Sequence, residues 1–169
     1  MKRIALIFIL SVTHIGSVFS AADTMYFGVK AGLMMPDIPE MSNATNIGFV
    51  IGSKLKNEIS VEGEMTITAL DGDVSIFGVS GDWDVMTIAG YGVYRSEKSG
   101  GVYFKGKAGL LYEDVNIQMT GLPVSSSGTD TGLSLGFGAG FDIGNGQTLE
   151  VEYTIIESDV SFLSVGVNF

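Results

Sequence analysis

The chain has 169 residues, 46% of them hydrophobic and only 17% charged, with a formal net charge of −10. That is one domain by length, and its sequence pI of about 4.3 excludes nucleic acid and a polybasic membrane patch as bases for function. It has no Cys, so neither a disulfide nor lipid attachment through a Cys can hold it together or anchor it.

The N-terminus reads as a secretory leader. Lys2 and Arg3 form a positive start, Ile4 to Leu10 an apolar run, and Ser20-Ala21-Ala22 a small-residue cleavage site. The apolar core is well short of the ~20 residues that a spanning helix needs. We therefore expect residues 1–22 to be removed and 23–169 to form the domain. Loss of Lys2 and Arg3 takes the formal charge from −10 to −12.

After the leader, the mean hydropathy of +0.36 is spread over short alternating segments. Eight of them have roughly the length that crosses a bilayer as a tilted strand. The first is 26–34, with Phe27, Val29, Ala31 and Leu33 against Gly28, Lys30 and Gly32. The second, 46–55, puts Ile47, Phe49 and Ile51 outward and Val50 and Lys54 inward. The third, 59–70, sets Ile59, Val61, Met65 and Ile67 against Ser60, Glu62, Glu64, Thr66 and Thr68. The fourth, 83–94, is expected to put Trp83, Val85, Ala89, Tyr91 and Val93 outward.

The fifth, 102–113, has Phe104, Ala108, Leu110 and Tyr112 outward and Lys105 and Lys107 inward. The sixth, 131–143, alternates Leu133, Leu135, Phe137, Ala139, Phe141 and Ile143 with Gly, Ser and Asp. The seventh, 148–156, opposes Leu149, Val151, Tyr153 and Ile155 to Glu150, Glu152 and Thr154. The eighth is 160–169, ending in Val165, Val167 and Phe169 on one face. Pro36, Pro39 and Pro123 all fall between these runs, where a missing N–H harms no ladder.

Short turns (around 56–57, 95–101 and 144–147) alternate with longer segments (35–45, 71–82 and 114–130), except that the last outer connection, Glu157-Ser158-Asp159, is short. In outer-membrane barrels the short turns face the periplasm and the long loops face outside. Phe27, Trp83, Tyr91, Phe104, Tyr112, Phe141 and Phe169 are the expected interfacial aromatics. The fold class is all-β: an eight-stranded antiparallel up-and-down transmembrane barrel.

Strand count, the Gly-rich row Gly136-Phe137-Gly138-Ala139-Gly140 and the terminal Leu163, Val165, Val167, Phe169 resemble the small outer-membrane barrels of the OmpA transmembrane-domain, OmpX and opacity-protein type. The resemblance spans the whole chain after the leader. It implies a Gram-negative outer membrane and contact with its lipid and lipopolysaccharide. It also implies that Val165, Val167 and Phe169 are read by the barrel-assembly machinery, and that surface loops adhere to a host or other surface. Enzymes of similar architecture depend on an essential His. Here the only His is His14, inside the leader, which removes Ser-His chemistry, and the lack of His and Cys removes zinc sites of that kind.

The inward charges Lys30, Lys54, Glu62, Glu64, Lys105, Lys107, Glu150 and Glu152 are expected to pair in a lumen just wide enough for side chains. Above them Val50, Leu70, Met86, Ile88, Leu111, Ile156 and Phe162 are expected to face inward, and Met86, Ile88, Leu111 and Phe162 define a candidate apolar pocket for a lipid tail or hydrophobic compound. The outer connections collect eleven carboxylates: Asp37, Glu40, Asp71, Asp73, Asp82, Asp84, Glu113, Asp114, Asp130, Glu157 and Asp159. Asp71-Gly72-Asp73 lacks the remainder of an EF-hand loop, and no metal or cofactor is expected. The functional expectation is a surface-interaction, adhesin-like role through the loops, with a ligand-binding or transporting lumen as the alternative. A closed barrel has no edge that demands a partner, so a monomer is expected.

Overall fold

A computed structural model describes residues 25–56, 58–76, 78–121 and 125–169; the leader reading at 1–22 lies outside the described residues. Among the described residues there are nine strands: β1 Met25–Pro36, β2 Ala44–Lys56, β3 Ile59–Leu70, β4 Gly72–Ile76, β5 Val79–Arg95, β6 Val102–Met119, β7 Ser125–Gly144, β8 Gln147–Glu157 and β9 Val160–Asn168. All neighbours are antiparallel, and the sheet closes where β3 pairs with β5. Closure gives every spanning backbone group a partner, which the bilayer requires.

β4 continues β3 after an irregularity. Ile67 stands opposite Met86, whereas Gly72 stands opposite Trp83, so the register against β5 slips by two residues between them. β3 and β4 therefore count as one broken strand of an eight-stranded barrel. The first and last strands meet at one end: Gly28 pairs with Asn168, and the Phe169 amide donates to the Phe27 carbonyl at 2.7 Å. Three consecutive positive φ values at Gly144, Asn145 and Gly146 (91°, 54° and 77°) make the tight β7–β8 turn at that same end, and only Gly or Asn adopts such angles readily.

At the other end the strands are uneven. The segment 114–130, expected as a loop, is mostly ladder: β6 and β7 stay paired up to Gln118–Ser125. The 71–82 segment is a hairpin of β4 on β5. By contrast, β8 and β9 stop at Glu157 and Val160. A sheet made of β4, β5, β6 and β7 thus rises above a barrel wall that is low on the β8–β9 side.

Alternation sorts the side chains. Phe27, Val29, Phe49, Phe104, Leu133, Leu135 and Phe137 are exposed on the outside, to lipid. The inside has two tiers. The lower tier is charged; the upper is an apolar cluster of Met34, Val74, Trp83, Val85, Leu111, Ile156 and Phe162.

β5 is inverted relative to its expected facing. Trp83, Val85, Ala89, Tyr91 and Val93 point inward and are buried, while Met86 and Ile88 point outward. Trp83 and Tyr91 are accordingly interior residues, not interfacial aromatics. The physical reason is Arg95. The strand runs one residue further than expected, and Arg95 shares the odd-numbered row; a guanidinium on the lipid face is costly, so that row turns inward. Leu70 is likewise 67% exposed. The ladder skips one residue there, with Thr45 opposite Leu70 and Asn46 opposite Thr68, and Ala69 and Leu70 are both exposed before Gly72 and Val74 turn inward again.

Candidate functional site

The charged tier is built from five strands. β1 contributes Lys30, β3 Glu62 and Glu64, β5 Arg95, β6 Lys105 and Lys107, and β8 Glu150 and Glu152. Pairs two apart on one strand share a face, so each strand sends its charges across the lumen together. In the half nearer the chain ends, Arg95 bridges Glu62 at 2.5 Å and Glu150 at 3.0 Å. Lys105 reaches Glu62 and Glu152 at 2.9 Å and Glu150 at 3.0 Å. One layer higher, Lys107 meets Glu152 at 2.5 Å and Glu64 at 2.8 Å, and Lys30 meets Glu64 at 2.5 Å and Glu152 at 3.2 Å. Four cations face four anions, so the tier is neutral.

Tyrosines line the same tier. Tyr26 donates to Glu62 at 2.7 Å, and Tyr103 donates to Glu150 at 2.6 Å. Both rings lie near the Arg95 guanidinium, at 5.0 and 6.0 Å from centroid to Cζ. Tyr91 exchanges a hydrogen bond with Ser134 and sits beneath Lys107, whose Nζ is 4.2 Å from the ring centroid. The space left beside Lys105, Glu150 and Glu152 is about 10 Å³, no more than one water's worth.

Seven of the eight expected charges meet there. Lys54 does not. It is exposed on the rim of a vestibule of about 400 Å³ that opens at the end holding the chain termini, and among the described residues it makes no ion pair. Its place is taken by Arg95, which sequence reasoning put in a turn. Extending the fourth alternating segment by one residue would have found it.

The expected apolar pocket is corrected. Met86 and Ile88 are on the lipid face. Leu111 and Phe162 do point inward, but they are 2% and 1% exposed and packed with Trp83 and Met34. Trp83 is pinned from above: its indole N–H donates to the Ser42 carbonyl at 2.9 Å, and residues 37–42 lie along β4 through the Ser42–Asp73 and Ser75–Glu40 backbone bonds. These side chains fill the upper lumen.

The outer rim is a field of one sign. The segments above the apolar tier hold the eleven outer carboxylates and not a single Lys, Arg or His. Asp73 stands opposite Asp82, and Glu113 opposite Asp130. Among the described residues no group of acidic side chains is placed to hold a metal ion.

A closed, lipid-facing barrel with a charge-filled lumen is an integral outer-membrane protein of a Gram-negative bacterium. The chain belongs to the outer membrane protein beta-barrel domain family, whose model matches residues 5–169. No curated protein matches it. Among solved structures it resembles Neisserial surface protein A, with a TM-score of 0.64 at 16% identity over 85% of this chain and 95% of that one. It also resembles Ail, the attachment invasion locus protein of Yersinia pestis (0.56, 17%, 86% and 97%), and OprG of Pseudomonas aeruginosa (0.60, 10%, 86% and 96%). At these identities the likeness is one of fold.

Proposed function

We propose that this protein works at the cell surface as an adhesin-like interaction protein whose working surface is the acidic outer rim. The observation that carries the reading is charge segregation. The cations described after the leader lie in the neutral lumen tier or at the end holding the chain termini, and the outer rim carries only carboxylates. Such a field steers positively charged partners and repels polyanions. The names of two structural neighbours, a surface protein and an attachment protein, fit a surface role. Ail has been crystallised with the heparin analogue sucrose octasulfate. An all-acidic rim is the wrong sign for such a ligand, so the partner class proposed here is cationic.

The test is attachment of Gram-negative cells displaying the protein to cationic and to heparin-coated surfaces. Displaying cells should attach to the cationic surface above vector controls. Changing Asp71, Asp73, Asp82, Asp84 and Asp114 to Asn should return attachment to the control level with the amount of folded barrel unchanged. Attachment that prefers heparin, or that survives the Asn changes, would overturn the reading.

A further inference from the structure

The vestibule at the end holding the chain termini takes no part in the acidic outer rim, and its lining has the parts of a ligand site. Three connections and the last residue converge on it. Lys54 and Glu58 flank the β2–β3 turn, Arg95 to Lys98 lead out of β5, Gly146 belongs to the β7–β8 turn, and Phe169 ends the chain. The first two connections are tied in place. The Arg95 amide donates to the Glu58 carbonyl at 2.8 Å and the Ser96 amide to the Phe104 carbonyl at 2.8 Å, and the Ser96 hydroxyl accepts from the Phe104 amide at 2.9 Å. A mouth held by such bonds keeps its shape before a ligand arrives, which cuts the cost of binding.

The floor is sealed. Arg95 spends all five of its N–H groups inside the protein, on Glu62, Glu150, Ser60 and the Tyr26 hydroxyl. Behind it the charged tier leaves a space of only about 10 Å³. The Tyr26 and Tyr103 rings lie along the wall, with their centroids 5.0 and 6.0 Å from the Arg95 Cζ. The remaining cavity of about 400 Å³ is in the size range of small-molecule sites.

The charges on its walls select the occupant. Lys30, Lys105, Lys107 and Arg95 are bridged within the tier, and Lys98 pairs with Asp142 at 2.7 Å. Lys54, Glu58 and Glu97 line the vestibule, and among the described residues none of the three makes an ion pair. One cation and two carboxylates thus share a cavity and stay beyond ion-pair distance of one another. A simple anion would answer Lys54 but face both carboxylates, and a simple cation would answer them but face Lys54. A molecule that carries both charges on one frame satisfies both sides at once. Thr148 and Asn168 add a hydroxyl and a carboxamide to the lining, and the two tyrosine rings add apolar surface.

We propose that the vestibule binds a small zwitterion, an amino acid or short peptide, drawn from the compartment that the chain termini face. Lys54 takes its carboxylate, Glu58 and Glu97 take its ammonium group, and its side chain packs against Tyr26 and Tyr103. Because the tier seals the floor, the ligand enters and leaves by the same mouth, and the site binds without passing its ligand through the barrel.

The experiment uses the folded barrel in nanodiscs and reads backbone amide shifts at Lys54, Glu97 and Gly146. The probes are phenylalanine, the dipeptide Ala-Phe, N-acetylphenylalanine, which lacks the ammonium group, and phenylalanine amide, which lacks the carboxylate. Phenylalanine or Ala-Phe should shift these amides saturably, and the tighter of the two says whether the site takes amino acids or peptides. Each blocked probe should bind about tenfold more weakly, the loss expected for one hydrogen bond to a charged group. Lys54→Gln should weaken phenylalanine by about tenfold and abolish its advantage over the amide. Glu58→Gln combined with Glu97→Gln should abolish its advantage over N-acetylphenylalanine. Both barrels should keep their resistance to SDS, since none of the three residues belongs to the tier. No saturable shift with either zwitterion, equal binding of the blocked probes, or wild-type discrimination by the Lys54→Gln barrel would overturn the site. Each of these results would leave the surface role standing, because attachment to cationic surfaces is read at the opposite end of the barrel.

Discussion

Tyr103 lies flat across Gly140 on the neighbouring strand: the two are register partners, and a Cβ on Gly140 would coincide with the tyrosine ring. Tyr26 covers Gly52 in the same way on the other side of the lumen. The missing side chain lets each ring lie along the wall and point its hydroxyl at a buried carboxylate, Glu150 for one and Glu62 for the other. Arg95 sits between the two rings, so backbone, aromatic and charge positions are set together.

Gly140→Ala should therefore be costly although it adds one methyl group. Tyr103 must leave its place and release Glu150, and overpacking of this kind costs about 1–3 kcal/mol. Urea unfolding of the barrel in lipid vesicles measures it. The double variant Gly140→Ala, Tyr103→Ala should cost less than the sum of the two single changes, because the clash disappears with the ring. Strict additivity would show that the ring and the glycine are independent.

Glu152→Gln should destabilise the barrel by about 3–5 kcal/mol, because it leaves Lys30, Lys105 and Lys107 with less negative charge than they need in a buried tier. Lys54→Gln should change the unfolding free energy by less than about 0.5 kcal/mol, as befits an exposed rim residue. Equal effects would mean that the tier described here does not distinguish the two positions.

A nitroxide label at Ile88 should be relaxed by oxygen and shielded from a water-soluble nickel reagent, since Ile88 faces lipid. A label at Ala89 should show little access to oxygen. Ile88→Arg should cost about 2–4 kcal/mol near the bilayer midplane. The reverse accessibility pattern would restore the facing expected from alternation alone.

Phe169 is exposed on the lipid side and pairs with Phe27 across the β9–β1 seam. We expect Phe169→Ser to lower the amount of SDS-resistant barrel in cells, through the proposed recognition of Val165, Val167 and Phe169 during assembly. A wild-type level of assembled barrel would count against that role.

Most of the barrel was legible in the sequence where one face of a strand is polar. In β3, β6 and β8 the pairs Glu62/Glu64, Lys105/Lys107 and Glu150/Glu152 share one row, in β7 Gly and Ser alternate with apolar residues over 132–141, and a charge facing lipid is so costly that the inward row is unambiguous. β5 was misread because both of its rows are apolar over 85–93, and only Arg95 beyond them breaks the tie. Leu70 was misread because the ladder skips a residue there, an irregularity that carries no composition of its own.

Sequence by itself determined the solvent, the closed sheet, seven of the eight lumen charges and the one-sign outer rim. Each follows from local rules: alternation of period two, the cost of charge in hydrocarbon, and the simple absence of Lys and Arg from a segment. Tertiary structure decided which apolar row of β5 faces in, that Arg95 completes the charge balance, that Trp83 and Phe162 fill the upper lumen, and that β7 outgrows β8. Those depend on how far each strand runs beside its neighbour, and strand length above the membrane is set by pairing between segments distant in sequence, which no local pattern records.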